Sequence, residues 1–266
     1  MILDAFRLTD RVAVVTGGGR GIGRGVALAF ADAGADVVVA ARRAEVIEEV
    51  AAAVRARGRR ALAVPTDVTD LAQIDRLVGR ALEAFGHVDV LVNNAGGSPP
   101  TIALALDDAD FEAAYHFNVT SALHASRLVA PHMARGGYGS IVNVSSAMSH
   151  LVDSGFVAYA AAKAALNHMT RLLAHEWAPH VRVNAVAAGA TLTDALEPFL
   201  EGSGDLRAQM EAMTPMARLG TTEDIAAAVL YLASPAASWV TGKVLEVDGG
   251  TIASNWPFKV PGGLGE

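Results

Sequence analysis

Short runs of apolar, often β-branched residues alternate with longer segments of helical periodicity along most of this chain. Runs that are apolar at successive positions are typical of strands buried on both faces of a sheet. The predicted strands are 11–16, 36–41, 61–64, 88–92, 140–144, 181–186 and 244–247. The predicted helices are one ending near 33–34, 44–57, 71–85, about 107–133, one through residues 159–163, and one near 224–233. The alternation predicts an α/β fold, a doubly wound parallel sheet of the Rossmann type with helices on both faces.

Composition limits the classes of partner. With 266 residues, 52% of them hydrophobic and 18% charged, the chain fits a single domain over 1–266. A formal net charge of −7 disfavours nucleic acid as a partner. The chain has no cysteine, so disulfides and thiol catalysis are excluded. The first residues lack a signal-peptide pattern, and no apolar run reaches membrane-spanning length, so we expect a cytoplasmic protein with no membrane partner.

A glycine-rich turn follows the first predicted strand. Gly17, Gly21 and Gly23 surround Arg20 and Ile22 at the start of a predicted helix. Glycines permit close approach of a pyrophosphate, and a helix N-terminus offers free N–H groups and a positive dipole end. The strict G-x-G-x-x-G spacing is absent, but the position between a strand and a helix predicts a dinucleotide site.

The end of the second strand bears on the choice of nicotinamide cofactor. An NAD site usually has a carboxylate there for the ribose 2′-hydroxyl, whereas arginine accommodates a 2′-phosphate. This chain has Arg42 and Arg43 and no carboxylate at that point, and Arg20 is a second candidate phosphate ligand. We therefore expect NADP(H), with NAD(H) as the alternative if these arginines are only surface charges.

Polar residues also follow the third and fourth strands, where ligands of such sheets bind. The cofactor is expected to contact Asp67, Val68, Asn94, Ala95 and Gly96. Each of these is also an ordinary turn position. Asn118 lies within an apolar helical segment, and a buried amide needs hydrogen-bonding partners. Bending of the helix or retention of a water molecule are its two candidate roles.

Three side chains near residues 146–163 are candidates for proton transfer. Tyr159 and Lys163 are four positions apart in a predicted helix and project from one face. A nearby ammonium lowers the pKa of a phenol from its usual ~10. Ser146, at the end of a predicted strand, is placed to hydrogen-bond the same substrate oxygen. The Tyr-Lys pair alone is also common on helix surfaces.

Together these motifs resemble the short-chain dehydrogenase/reductase family from about residue 12 to 250. The matching motifs are Thr16-Gly17-x-x-x-Gly21-x-Gly23, Asn93-Asn94-Ala95-Gly96, Asn118, Ser146, Tyr159-x-x-x-Lys163 and Val247-Asp248-Gly249-Gly250. The resemblance implies that Tyr159 is the general acid in ketone reduction and the base in alcohol oxidation. It implies that Lys163 holds the nicotinamide ribose, that Ser146 orients the substrate oxygen, and that Asn118 holds a water in a proton relay.

The resemblance also bears on the segment after the sixth strand. It places Gly189 and Thr193 at the cofactor, although Ala188 stands where the family usually has proline. A lid at about 190–215 is expected to cover the substrate. Its apolar residues are Leu196, Phe199, Leu200, Leu206, Met210, Met213 and Pro215. An apolar ketone or secondary alcohol fits such a lid.

Substrate and assembly are expectations from relatives of the family. Relatives with similar motifs include 3-oxoacyl-thioester reductases and hydroxysteroid dehydrogenases, and they are commonly homotetramers, so a homotetramer or a dimer is expected. The tail at about 251–266, with Trp256 and Phe258, is hypothesised to cover a neighbouring subunit's pocket. No metal is expected, since the eight histidines show no ligand cluster in the sequence. A dinucleotide sensor without turnover is the alternative from another functional class.

Overall fold

The computed structural model describes residues 1–194, 196–197, 200 and 204–257. Within these residues, seven parallel strands form one sheet in the order β3-β2-β1-β4-β5-β6-β7. The strands are β1 Val12–Thr16, β2 Asp36–Ala41, β3 Ala61–Pro65, β4 Val90–Asn93, β5 Ser140–Ser146, β6 Arg182–Ala188 and β7 Val244–Val247. The helices are α1 Gly21–Asp32, α2 Ala44–Arg55, α3 Leu71–Phe85, α4 Asp108–Tyr115, α5 Ser121–Gly136, α6 Val157–Trp177, α7 Leu206–Ala212 and α8 Thr222–Ala233. The predicted fold class is confirmed.

Helices cover both faces of the sheet, and successive strand residues point to opposite layers. Val37 and Val39 of β2 pack in the layer of α1, α2 and α8. Val38, between them, packs in the layer of α3, α5 and α6. Both layers are closely buried, and this explains why the strands are apolar at successive positions. The strand order reverses between β1 and β4, and ligands of doubly wound sheets bind at such a switch point.

The long helix expected over 107–133 is interrupted. A π-helical turn, His116–Thr120, separates α4 from α5. Asn118 lies in this turn, and its side-chain amide donates to the carbonyl of Ala114 at 2.8 Å. A side-chain donor that takes a backbone acceptor competes with the regular helical bonding, and π-turns are frequent at functional sites. The hypothesis that Asn118 distorts its helix is in agreement with this geometry.

The segment between β6 and α8 has a small core of its own. Leu200, Leu206, Met210 and Leu219 are buried together, apart from the two layers on the sheet. Thr191 and Gly220 pair at the base of the segment. Phe199 of the expected lid lies outside the described residues. Among the described residues, no helix combines the length and apolar character that crossing a membrane requires.

Candidate active site

The carboxyl ends of the strands surround a cavity of about 1130 Å³. Of the residues predicted from sequence, it is lined by Gly17, Arg20, Gly21, Ile22, Arg42, Asp67, Val68, Asn94, Ala95, Gly96, Ser146, Tyr159, Lys163, Gly189 and Thr193. Gly23 and Asn118 were also predicted but do not line it; both lie behind its wall. The fold thus brings one set of residues, spread over most of the chain, to a single edge of the sheet.

The glycine turn is shaped for close approach of backbone to ligand. Gly17 and Gly21 both have positive φ values, 63° and 52°, which favour glycine. A Cβ on Gly23 would lie 2.5 Å from the side-chain nitrogen of Asn94 and closer still to the carbonyl oxygen of Gly17. Gly23 therefore allows α1 to begin directly against the turn. The N-terminus of α1 then opens onto the cavity, the arrangement that suits a pyrophosphate.

Thr16, at the end of β1, ties the glycine turn to the end of β4. Its hydroxyl oxygen accepts from the backbone N–H of Asn94 at 3.1 Å and of Ala95 at 3.2 Å. In return, the Asn94 amide donates to the carbonyls of Thr16 at 2.9 Å and Gly17 at 3.1 Å. No separate role was predicted for Thr16 from the sequence. The available signal was a hydroxyl residue ending a buried apolar strand.

A row of buried polar side chains continues behind the cavity. Asn93 on β4 donates to the side-chain oxygen of Asn143 on β5 at 2.9 Å and to Ser126 on α5 at 3.1 Å. Asn143 donates in turn to Thr170 on α6 at 2.9 Å. Buried polar groups that are fully bonded in this way fix the relative positions of the elements that carry them. Asn143 was not predicted, although an asparagine within an apolar strand is a usable signal.

Asn118 holds the turn that follows β4. Its side-chain oxygen accepts from the N–H of Gly97 at 2.9 Å, and its amide donates to the Gly97 carbonyl at 2.9 Å. A Cβ added to Gly96 would lie 2.6 Å from the Asn118 oxygen and 3.0 Å from Lys163 Nζ. Asn118 and Lys163 therefore meet at Gly96, on the back of the cavity wall.

Tyr159, Ser146 and Lys163 converge on one side of the cavity. Lys163 Nζ lies 5.7 Å from the centroid of the Tyr159 ring and donates to the carbonyl of Val144 at 2.9 Å. The Ser146 hydroxyl accepts from the N–H of Met148 at 3.2 Å. Burial lowers the pKa of Lys163 to about 8.

The pKa of Tyr159 differs from the sequence-based expectation. Burial raises this pKa, and a hydrogen bond with Ser146 opposes the rise. The expected lowering by Lys163 is wrong for the chain alone. The physical reason is that burial of the phenol disfavours its charged form.

The end of the cavity next to β2 is basic. Arg20, Arg42 and Arg43 line it, are exposed, and form no ion pair with any carboxylate of the described residues. Asp67 accepts from the N–H and the hydroxyl of Thr69 at 3.0 and 2.7 Å. These bonds, assisted by the charge of Arg42, hold the pKa of Asp67 below its usual value. A glycine turn, a helix N-terminus and unpaired guanidinium groups in one cavity fit a phosphorylated dinucleotide.

Aromatic residues lie on the other side of Tyr159. The Phe156 ring centroid is 6.5 Å from that of Tyr159 and 5.9 Å from that of Trp256. Trp256 also packs against the apolar cluster of Leu200, Leu206, Met210 and Leu219. In the structure Trp256 packs on its own chain. The hypothesis that the tail covers a neighbouring subunit stays a prediction. Phe258 lies outside the described residues.

The expected lid residues have different environments. Leu200, Leu206 and Met210 are buried against one another, whereas Met213 is 48% exposed. The three buried residues belong to the small core described above, and Trp256 and Leu196 pack against it.

One histidine departs from the expectation that no ligand cluster exists. His150 lies with Glu246 and Asp248, and one ligand atom from each residue lies within 4.8 Å of the others. His150 and Glu246 are exposed. β5, which His150 follows, pairs with β6, and β6 pairs with β7, so the sheet brings these residues together, and their separation in sequence conceals the grouping.

Comparison with known proteins gives matches over nearly the whole chain. A family model described as enoyl-(acyl carrier protein) reductase matches residues 17–251. An uncharacterized oxidoreductase of Mycobacterium tuberculosis is 50% identical over 262 residues, 98% of this chain and 99% of that protein. The 7alpha-hydroxysteroid dehydrogenase of Escherichia coli K12 is 40% identical over 250 residues, 94% of this chain and 97% of that protein. A solved 7alpha-hydroxysteroid dehydrogenase, complexed with NADH and 7-oxo glycochenodeoxycholic acid, matches with a TM-score of 0.91 and 40% identity, covering 95% of this chain and 98% of its own.

Proposed function

We propose that this chain, which belongs to the short-chain dehydrogenase/reductase family and is an NAD(P)-dependent oxidoreductase acting on CH–OH groups, interconverts an apolar ketone and its secondary alcohol through Tyr159. One observation carries the proposal: Tyr159, Ser146 and Lys163 line the same cavity as the glycine turn. Family membership supplies the class of reaction, and these three side chains supply a site for proton transfer.

In the reduction, the carbonyl carbon gains a hydride and the carbonyl oxygen gains a proton, which gives a CH–OH group. A bound nicotinamide supplies the hydride. The Tyr159 hydroxyl donates the proton, and the Ser146 hydroxyl hydrogen-bonds the oxygen as negative charge develops on it. A phenol has an ordinary pKa of about 10, so the Tyr159 hydroxyl carries the proton that it donates at neutral pH. Lys163 contacts the ribose in this proposal, and Asn118 holds the Gly96 turn against it.

We assign the cofactor residues as follows. The turn from Gly17 to Gly23 holds the pyrophosphate, Asp67 and Val68 flank the adenine, and the nicotinamide lies toward Gly189 and Thr193. NADP(H) is the preferred cofactor because Arg20, in the glycine turn, and Arg42, just after β2, line the same cavity and form no ion pair among the described residues. NAD(H) is the second candidate, and it is favoured by the similar solved enzyme complexed with NADH.

The substrate is proposed to be apolar. Phe156 lies next to Tyr159 and packs on Trp256, and Trp256 packs in turn against an apolar cluster. A steroid-like ketone is supported by the similarity to 7alpha-hydroxysteroid dehydrogenase. A 3-oxoacyl thioester is the alternative.

A homotetramer or dimer is proposed as the assembly. Leu172 on α6 is 51% exposed, and Leu245 on the edge strand β7 is 37% exposed, so each presents apolar surface that a second copy would cover. Light scattering of the purified protein tests this, and a monomer would contradict it.

The first experiment combines cofactor titration with turnover of a ketone panel. We expect NADPH to bind more tightly than NADH, and Tyr159→Phe to reduce kcat about 10³-fold with cofactor affinity unchanged. Tyr231→Phe is the matched control, because Tyr231 packs on Phe6 and lies outside the cavity. Unimpaired turnover in Tyr159→Phe would contradict the mechanism. Tighter binding of NADH than of NADPH would reverse the cofactor assignment.

A further inference from the structure

The C-terminal segment returns from β7 to the neighbourhood of Tyr159. Its first anchor is the carbonyl of Gly249, which accepts from the N–H of Met216 at 3.1 Å. Its second is Asn255, whose amide donates to the hydroxyl of Thr214 at 2.9 Å. Both bonding partners of the tail, Met216 and Thr214, lie just after α7. The tail is therefore bonded to the α7 segment, residues 190–220. These two bonds place Trp256 at a defined position and not at the end of a free chain.

The rings of Trp256 and Phe156 pack at a right angle, and we call this pair of rings the aromatic corner. Their ring centroids are 5.9 Å apart and their planes are at 87°, an edge-to-face arrangement. Phe156 immediately precedes α6, and its ring is 6.5 Å from the ring of Tyr159. Edge-to-face pairs are favoured by the charge distribution of aromatic rings and hold their relative angle. The phenol, the phenylalanine and the tryptophan thus form a continuous aromatic wall.

Only one ring of this wall lines the dinucleotide cavity. Tyr159 lines that cavity, whereas Phe156 and Trp256 are not among its described lining residues. A substrate oxygen bonded to Tyr159 therefore lies beside the cavity, and the Phe156 ring is next to the same phenol. The groups carried by the carbonyl carbon are then the parts of the substrate nearest the corner.

Resting on the proposed function, we propose that Phe156 and Trp256 determine substrate specificity by contacting a cyclic apolar group of the ketone. Trp256 of the tail contributes to the active site of its own chain. Two rings at right angles offer an edge and a face at once. A fused ring contacts both walls, whereas a flexible linear chain loses rotational freedom to do so. The corner therefore favours ring ketones over acyclic ones.

The test compares two ketones, decalone and methyl hexyl ketone, in the full-length enzyme. We expect Trp256→Ala to raise KM for decalone about tenfold, from lost aromatic contact. We expect KM for methyl hexyl ketone to change less than about twofold and the cofactor Kd to stay the same. Trp256→Phe retains an aromatic wall and should restore most of the decalone KM. Trp239→Ala is the matched control, because that tryptophan is 100% exposed.

Two results separate failure of this inference from failure of the proposed function. Equal KM changes for both ketones in Trp256→Ala, or no change for either, would overturn the specificity role. If the unmodified enzyme reduces neither these two ketones nor any ketone of the panel, the proposed function fails, and binding alone decides the role of Trp256. In a Trp177→Phe, Trp239→Phe background, quenching of the remaining tryptophan fluorescence by decalone supports the inference, and unchanged fluorescence overturns it.

Discussion

The cofactor end of the sheet and the α7 segment, residues 190–220, are held together by different forces. At the cofactor end, Thr16, Asn94 and Asn118 bond to backbone atoms of neighbouring turns. In the α7 segment, Leu206 and Met210 pack in a small apolar cluster away from the sheet. Hydrogen bonds are directional and fix atoms closely, whereas apolar burial is non-directional. The residues proposed for proton transfer are therefore positioned by directional bonds, whereas the α7 segment is held by non-directional packing.

The largest effect is expected from a methyl group at the cofactor end. Gly23→Ala places a Cβ against the Gly17 carbonyl, so the turn or α1 must move. We expect a loss of about 3 kcal/mol in the free energy of unfolding and loss of dinucleotide binding. Gly79→Ala on α3 is the control: no atom lies within 4 Å of its added Cβ, and alanine favours a helix by about 0.5–1 kcal/mol. Equal stabilities from urea unfolding of the two variants would contradict the expectation.

A pair of buried methionines compares the two regions directly. Met133, 0% exposed, packs in the layer of α3, α5 and α6, and Met210, 1% exposed, packs in the α7 segment. We expect Met133→Ala to lower the free energy of global unfolding by about 3 kcal/mol. We expect Met210→Ala to lower it by less than about 1 kcal/mol, because a small separate cluster can open locally. Its effect should appear as faster amide exchange in α7.

Equal losses of global stability in the two methionine variants would show that the α7 segment unfolds together with the sheet. Urea unfolding monitored by circular dichroism, with hydrogen exchange on the same samples, distinguishes the two outcomes.

A smaller effect is expected from the titration of Lys163. Its pKa is lowered from 10.5 to about 8 by burial. Between pH 8 and 10 the unfolded chain therefore binds more protons at this position than the folded chain, so stability rises with pH. We expect the cofactor-free enzyme to gain about 2 kcal/mol relative to Lys163→Met over that interval. Urea unfolding at both pH values measures this. If the free energy of unfolding of the two proteins depends on pH in the same way, the pKa of Lys163 is not lowered by burial.

The smallest effect is expected at the exposed rim of the cofactor end. Arg42→Ala should weaken NADPH binding about tenfold and change NADH binding less than about twofold, because only NADPH carries the 2′-phosphate. Arg24→Ala removes the same charge from α1 at a position that does not line the cavity. Equal weakening of both cofactors by Arg42→Ala would remove the basis for the NADP(H) assignment.

Much of the fold was predictable because it depends on local pattern. The β2, α3 and β7 boundaries agree with those expected from apolar runs and helical periodicity. The parallel sheet then brings residues that follow the strands to one edge, so motif residues such as Asn94 and Tyr159 were predicted together. The predicted strand at 88–92 begins instead at Val90, because Asp89 uses its carboxylate to accept from Val12 at 2.8 Å.

The features that escaped prediction depend on contacts between residues distant in sequence. The bonds between Thr16 and Asn94 join positions 78 residues apart, and local pattern carries no signal of them. The raised pKa of Tyr159 depends on burial, which spacing along a helix does not reveal. The contact of Trp256 with Phe156 depends on the path of the tail, for which the sequence offers composition alone.

The pairing of Thr191 with Gly220 has a consequence for how such enzymes diversify. Leu192 donates to the Gly220 carbonyl at 2.8 Å, and Gly220 donates to the Ala190 carbonyl at 2.9 Å, so the α7 segment leaves and rejoins the sheet at one point. The entropic cost of closing an insertion grows only with the logarithm of its length. A segment of different length or sequence can therefore be exchanged at this point while the strand ends keep their positions. Under the proposed function, such an exchange would change the substrate contacts and leave Ser146, Tyr159 and Lys163 in place.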